Sequence, residues 1–321
     1  MSKYSVFMTD TIFPDTAIER QELDLAEATL TLSNQPDAAT LIREGRDCDA
    51  MLVVYAQVGA DVINSLTRCK VIVRVGIGYN NVDIEAASKA GIMVANVPDY
   101  CLDEVADHTL ALFLAVARKT CFMNNQVAGG TWNIADAKTI PRLRGMVFGV
   151  FGYGAVGQQV GHRAAAFGME VVGYDPYAPE DVFSSNGTRR ITDFGEFLAS
   201  VDVLSLHIPL TDQTRHIINR RNMEKMKPTA YVINTSRGGL IDEVELYEAL
   251  KEGVIAGAGL DVLEVEPPPK APALSGLFNV VMTPHAAFFS EDSVAELRRK
   301  ASQEVIRTLQ EGEPKFCVNR K

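Results

Sequence analysis

The chain has 321 residues, more than one hydrophobic core comfortably holds, so two domains are the expectation. Its composition is that of an ordinary globular protein, 47% hydrophobic and 22% charged, and a formal net charge of −10 argues against nucleic acid or an anionic membrane as a main partner. No apolar run approaches the ~18 residues of a membrane span, and MSKYSVFMTD lacks an apolar stretch followed by a small-residue cleavage site, so a cytoplasmic protein is expected. The five cysteines, Cys48, Cys69, Cys101, Cys121 and Cys317, show neither CxxC nor Cys/His metal spacing; they fit a reducing compartment and support no metal site.

From the first residues, short β-branched runs alternate with amphipathic stretches. YSVFMTD, ATLTLS, AMLVVYA, KVIVRVG and IMVANVP read as strands, and PDAATLIREGRD and NNVDIEAASKAG as helices between them. This alternation predicts a parallel sheet covered by helices on both faces, over residues 1–100. A long helix, CLDEVADHTLALFLAVARKT, follows; Val105, Leu112, Phe113 and Val116 recur at helical spacing and define its packed face. A second alternation then brings six strands, MVFGVFG, MEVVGYD, DVLSLHIPL, AYVINTS, GAGLDVLE and NVVMTP, which predict a doubly wound domain over residues 101–288. Residues 289–321 read as a terminal helix with capping signals at Ser290 and at Ser293 with Glu296, expected to return to the first domain. The expected fold class is therefore α/β, with two doubly wound parallel-sheet domains and a cleft between them.

Within the second alternation, a strand leads into Gly152-x-Gly154-x-x-Gly157, a helix follows, and the next strand ends at Asp175. Gly152 permits the tight turn, Gly154 lets backbone approach a pyrophosphate, and Gly157 lets helix and strand pack closely. The pyrophosphate would meet the N–H groups of a helix N-terminus. The Asp175 carboxylate can accept hydrogen bonds from a ribose diol and would repel a 2′-phosphate, and no arginine follows it in YDPYAPE, so NAD is expected over NADP.

Five histidines compete for an acid/base role. His108 and His162 lie in helices and His216 in a polar linker, where packing or solvation accounts for them. His207 ends a strand at the expected cofactor edge. His285 follows the last strand and a proline in NVVMTPHAAFF, at the carboxyl edge where ligands of such sheets bind. Arg237 in YVINTSRGGLIDE and Glu266 in GLDVLEVEPP also leave strand ends on that face, the latter ahead of prolines that forbid a continuing helix.

RVGIGYNNVD, NVPDYCLDEVADHTLAL, GYGAVGQQV through YDPY, HIPLTDQTRHIIN, VINTSRGGLIDE, GLDVLEVEP and TPHAAFF, in this order, make the chain resemble the D-isomer-specific 2-hydroxyacid dehydrogenase family over essentially its full length. The resemblance implies a flavodoxin-like substrate domain split between residues 1–100 and 289–321, a central Rossmann NAD domain, and a homodimer. It implies catalytic roles for Arg237, Glu266 and His285, and cofactor contacts at Ala155, Val156, Asp175, Ile208, Pro209, Thr214, Thr235, Ser236 and Asp261 beside the glycines and His207. Reduction of a 2-keto acid needs a hydride from NADH and a proton for the developing alkoxide. An imidazolium at His285 can supply that proton, a carboxylate at Glu266 favours the charged ring, and the planar fork of Arg237 can hold the substrate carboxylate. Backbone N–H groups of Ile77 and Gly78 in VGIGYNN could bind the same carboxylate from the other domain, with domain closure excluding water.

Phosphoglycerate-oxidising relatives have an Arg-Ser-containing loop after the third strand, whereas this chain has VVYAQVG. Tyr55, Gln57 and Tyr100 are expected to face the substrate, so a small unphosphorylated 2-keto acid such as glyoxylate or hydroxypyruvate is favoured. TPHAAFFSEDS and VPDYCLDEVADHTLAL are especially similar to the branch containing the carboxy-terminal binding proteins, which raises an NAD(H)-sensing corepressor with little turnover as the alternative; the absence of a basic patch and of an extended polar tail speaks against it.

Overall fold

In the computed structural model, which describes residues 2–137 and 139–320, the strands of the first hundred residues form one sheet. They are β1 (Tyr4–Met8), β2 (Ala28–Leu32), β3 (Ala50–Val53), β4 (Val71–Arg74) and β5 (Met93–Ala95), all parallel and ordered β2-β1-β3-β4-β5. The crossovers carry helices α1 (Ala17–Asp24), α2 (Ala38–Gly45), α3 (Ala60–Ser65) and α4 (Ile84–Lys89). Every residue of β3 is buried, which is why it reads as an unbroken apolar run and not as alternation. The order reverses between β1 and β3, so loops leaving their carboxyl ends diverge there. Asp10, just past β1, fastens the loop after β3: its carboxylate accepts the N–H groups of Val54, Tyr55 and Ala56 at 3.1, 2.7 and 3.2 Å.

The second unit, Leu102–Phe289, opens with α5 (Leu102–Ala117) and α6 (Thr120–Ala128). Val105, Leu112, Phe113 and Val116 are all buried on α5, which lies over the later strands of this unit. The helix ends three residues before the expected segment does: Lys119 adopts left-handed backbone (φ 55°) and α6 starts afresh beyond it. There follow β6 (Val147–Phe151), α7 (Ala155–Ala166), β7 (Glu170–Tyr174), α8 (Glu180–Ser185), β8 (Arg189–Arg190), α9 (Phe194–Ser200), β9 (Val203–Leu206), α10 (Arg220–Met223), β10 (Tyr231–Asn234), α11 (Glu243–Glu252), β11 (Gly257–Leu260) and β12 (Val280–Met282). The sheet is parallel throughout, ordered β12-β11-β10-β9-β6-β7-β8. It has seven strands where six were expected; the extra one, β8, is a two-residue edge strand of two arginines, with no apolar periodicity to announce it. Its place is fixed by pairing with β7, Val172 opposite Arg189 and Gly173 opposite Arg190.

The last helix, α12 (Glu291–Glu311), belongs to the first unit and packs on α1, β3 and β4. Its capping box is Ser290 with Ser293, one turn ahead of the Ser293 and Glu296 pair. Arg298, 5% exposed, forks onto Glu19, 1% exposed, with Nε and Nη2 each 2.7 Å from a carboxylate oxygen, and so ties α12 to α1. Among the described residues no helix is long and apolar enough to cross a membrane, and no cluster of metal-ligating side chains occurs.

Candidate active site

The glycine loop leaves β6 at the centre of the second sheet. Gly152 has φ 92°, and a Cβ there would stand 2.4 Å from the carbonyl oxygen of His207; at Gly157 it would stand 2.2 Å from the carbonyl oxygen of Gly152. Only glycine therefore lets strand, turn and helix close on one another. Gly154 is different. It is the exposed N-cap of α7, no side chain caps the helix, and a Cβ would meet nothing within 4 Å. The first amides of α7, through Ala155 and Val156, thus lie at an open helix terminus suited to an anion.

Asp175 stands past the end of β7 and is held by three amides: Tyr153 N–H at 2.9 Å on one oxygen, Tyr177 and Ala178 N–H at 2.8 and 3.1 Å on the other. This fixes a carboxylate next to the glycine loop, where a ribose diol would lie. Arg190 of β8 donates to the carbonyl oxygen of Asp175 at 2.9 Å, a neighbour that the residues following Asp175 in sequence do not reveal. The open cradle at Gly154 and the anchored acid beside it fit a dinucleotide: pyrophosphate on the α7 amides, adenosine ribose on Asp175.

Most of the other expected cofactor residues collect at the carboxyl ends of β9, which pairs with β6, and β10, which pairs with β9. His207 follows β9; its Nε2 is 2.7 Å from Ser205 Oγ, and burial lowers its pKa to about 3, so the ring is neutral at physiological pH. Thr214 donates to the Pro209 carbonyl at 2.7 Å and Ser236 to the Ile208 carbonyl at 2.9 Å, which pins the β9 loop on the β10 loop. Thr235 Oγ1 is 2.9 Å from Thr109 Oγ1 of α5.

Three neighbouring strand ends then carry the expected catalytic groups. After β10, the buried Asn234 grips the turn from both sides: its Oδ1 accepts Ser236 N–H at 3.0 Å and its Nδ2 donates to the Arg237 carbonyl at 2.9 Å. After β11 comes Asp261, 1% exposed, whose carboxylate accepts Thr283 Oγ1–H at 2.5 Å and the Ala286 and Ala287 amides at 2.8 and 2.9 Å. Its backbone carbonyl accepts His285 N–H at 2.7 Å. Asp261, expected among the cofactor residues, thus uses its carboxylate on the turn that carries His285 after β12. His108 of α5 joins the same network, with Nε2 2.8 Å from Thr283 Oγ1. Neither Asn234 nor Thr283 was marked by the sequence, where each is one more polar residue at a strand end.

Held in this way, His285 adopts left-handed backbone (φ 54°) and turns Nδ1 onto Glu266, 2.6 Å from Oε2; Oε1 of the same carboxylate accepts Leu263 N–H at 2.7 Å. Burial raises the Glu266 pKa, but the hydrogen bonds from His285 and Leu263 and the charges of His285 and Arg237 outweigh it, and the net shift is downward. Glu266 therefore stays a carboxylate, and the ring it orients presents Nε2 on the side away from it. In the first unit, the turn after β4 carries Ile77 and Gly78; Gly76 has φ 146°, Arg74 Nη1 donates to the Val75 carbonyl at 2.8 Å, and Asn96 holds the Ile77 carbonyl at 2.7 Å.

Residues 110–287 match the family model described as D-isomer specific 2-hydroxyacid dehydrogenase, NAD binding domain. The chain belongs to this family. It is 41% identical over 289 residues to the D-3-phosphoglycerate dehydrogenase of Methanocaldococcus jannaschii, a match that covers 90% of this chain and 54% of that protein, so the chain spans about half the length of that relative. To the hydroxypyruvate reductase of Thermotoga maritima it is 35% identical over 315 residues, covering 96% of this chain and 98% of that one. Among solved structures, the D-lactate dehydrogenase of Aquifex aeolicus, complexed with NAD and lactic acid, superposes with a TM-score of 0.87 at 26% identity, covering 99% of both chains. The second unit thus carries the NAD-binding domain of this family, and both parallel sheets match those of its relatives.

Proposed function

We propose that this protein interconverts a small, unphosphorylated 2-keto acid and its D-2-hydroxy acid, with His285 as general acid/base, Glu266 as its partner and Arg237 as the substrate-binding cation. The observation that carries this reading is the 2.6 Å contact between His285 and Glu266 at the end of the NAD-binding sheet, close enough to Arg237 for its charge to act on Glu266. Bound NADH supplies the hydride that reduces the carbonyl carbon. His285 gives a proton from Nε2 to the developing alkoxide and recovers it in the oxidative direction. Glu266 fixes the orientation of the ring through Nδ1. Arg237 holds the substrate carboxylate and polarises the carbonyl.

The first unit, with α12, serves on this reading as the substrate domain. Its loop after β3, VYAQVG, carries no basic side chain to hold a phosphate and so favours an unphosphorylated substrate; Tyr55 and Gln57 line an open depression of about 430 Å³ there. A homodimer accords with α6, none of whose residues is buried, followed by Trp132 and Ile134 at 89% and 81% exposure. Among the described residues no disulfide joins any of the five cysteines, which accords with a cytoplasmic setting. Relatives named as reductases and dehydrogenases favour turnover over a corepressor-like binding role.

The test is a panel of glyoxylate, hydroxypyruvate, pyruvate and 3-phosphohydroxypyruvate with NADH. Rapid consumption of an unphosphorylated compound is the expected result. Preference for the phosphorylated one overturns the substrate class, and tight NADH binding without consumption of any compound overturns the enzymatic reading.

A further inference from the structure

Two histidines of the second unit hold left-handed backbone, His285 at φ 54° and His216 at φ 50°. The turn Leu263–Glu266 presents a carboxylate to each, Glu266 to the first and Glu264 to the second. Such backbone is uncommon outside glycine and persists where the surroundings hold it. At His216 the surroundings are the arginine turn. His216 N–H donates to the Gly239 carbonyl at 2.8 Å and Ile218 N–H to the Leu240 carbonyl at 3.0 Å, so this strip runs along the residues that follow Arg237. The ring reaches the other way, with Nε2 bonded to the Glu264 carboxylate and Nδ1 3.6 Å from Asp242.

Glu243, the first residue of α11, grips the same turn from its backbone: Glu264 N–H donates to Glu243 Oε1 at 2.5 Å. Between the two grips the turns touch peptide to peptide, since a Cβ on Gly238 would lie 1.9 Å from the carbonyl carbon of Leu263. Arg237 and Glu266 are therefore carried by one assembly, fastened on its outer side by His216 and Glu243. The ionisable groups in it are the carboxylates of Asp242, Glu243, Glu264 and Glu266, and the basic side chains of His216, His285 and Arg237.

We propose that His216 and Glu243 are positioning residues: they lock the Leu263–Glu266 turn onto the Arg237 turn and so hold Glu266 behind His285. The inference rests on the catalytic reading above and adds residues that touch neither substrate nor cofactor in it. It explains why a polar linker histidine takes up left-handed backbone, and why α11 begins with a carboxylate that accepts the backbone amide of another turn.

The experiment measures kcat, KM and the pH profile of keto-acid reduction for His216→Asn, Glu243→Ala and Glu243→Gln, each alone and combined with His285→Ala. Asparagine tolerates left-handed backbone but is too short to reach Glu264. His216→Asn and Glu243→Ala are expected to lose about tenfold to hundredfold in kcat, the scale of a misplaced catalytic group, with a displaced pH profile and unchanged NADH affinity. Glu243→Gln, which keeps an acceptor for the Glu264 amide, restores most of the rate. Without His285 neither substitution costs anything further, because no pair is left to position. Wild-type kcat and profile in both variants, or equal losses with and without His285, overturn the inference. Full activity in His285→Ala alone overturns the catalytic reading instead.

Discussion

His285 and Glu266 meet at 2.6 Å although 19 residues separate them, and each is held in place from behind: Glu266 by the Leu263 amide, His285 by the Asp261 carbonyl. The contact lowers the Glu266 pKa despite burial.

Glu266→Gln keeps the acceptor for Leu263 and removes the charge. Keto-acid reduction should then fall in kcat with a displaced pH profile, because Nδ1 of His285 has lost its carboxylate partner. The pH dependence of kcat reads this directly, and an unchanged kcat and profile would contradict the pairing. The stability that Glu266 contributes has its own pH dependence: a depressed carboxyl pKa stabilises the fold above the ordinary value of 4.5 and ceases to do so as pH falls through the folded-state value. The difference in unfolding free energy between wild type and Glu266→Gln should therefore shrink on acidification.

Asp261→Ala should cost about 3 kcal/mol in denaturant unfolding, since it strands two buried amides and a threonine hydroxyl of the His285 turn. Turnover should fall with it. A variant with wild-type stability and kcat would show that the turn holds itself.

Gly152→Ala and Gly154→Ala separate folding from cofactor binding. The first forces a Cβ to 2.4 Å from a backbone carbonyl at positive φ and should destabilise the whole unit. The second meets no protein atom within 4 Å, so it should fold normally and lose NADH affinity about tenfold or more, read by fluorescence titration. Unchanged NADH affinity in Gly154→Ala would remove the pyrophosphate from that helix terminus.

Glu19→Ala leaves the buried guanidinium of Arg298 with only Asp15 as a carboxylate partner, and should destabilise the first unit by about 3–5 kcal/mol. Glu19→Leu combined with Arg298→Met should recover most of that loss. Chemical denaturation of the single and double variants checks both, and additive losses would argue against a coupled pair.

The strand ends were legible because buried parallel strands read as apolar runs stopped by glycine, proline or a charge; that is how Arg237, Glu266 and His285 stand out. Where pattern and structure part, the reason is local. No glycine or proline in AVARKT marks the break at Lys119, and β8 is too short and too basic to show a period. The residues that hold the site were illegible for another reason. Thr283, His108 and His216 bond to partners 22 to 175 positions away, as does Asp261, marked in the sequence only as a cofactor contact, and spacing along the chain carries no trace of such pairs.

The most direct measurement is keto-acid reduction by His285→Ala, with NADH affinity determined on the same preparation. A loss of about 10²–10⁴-fold in kcat at unchanged NADH affinity is the predicted result. Wild-type turnover in that variant would contradict a proton donated by His285.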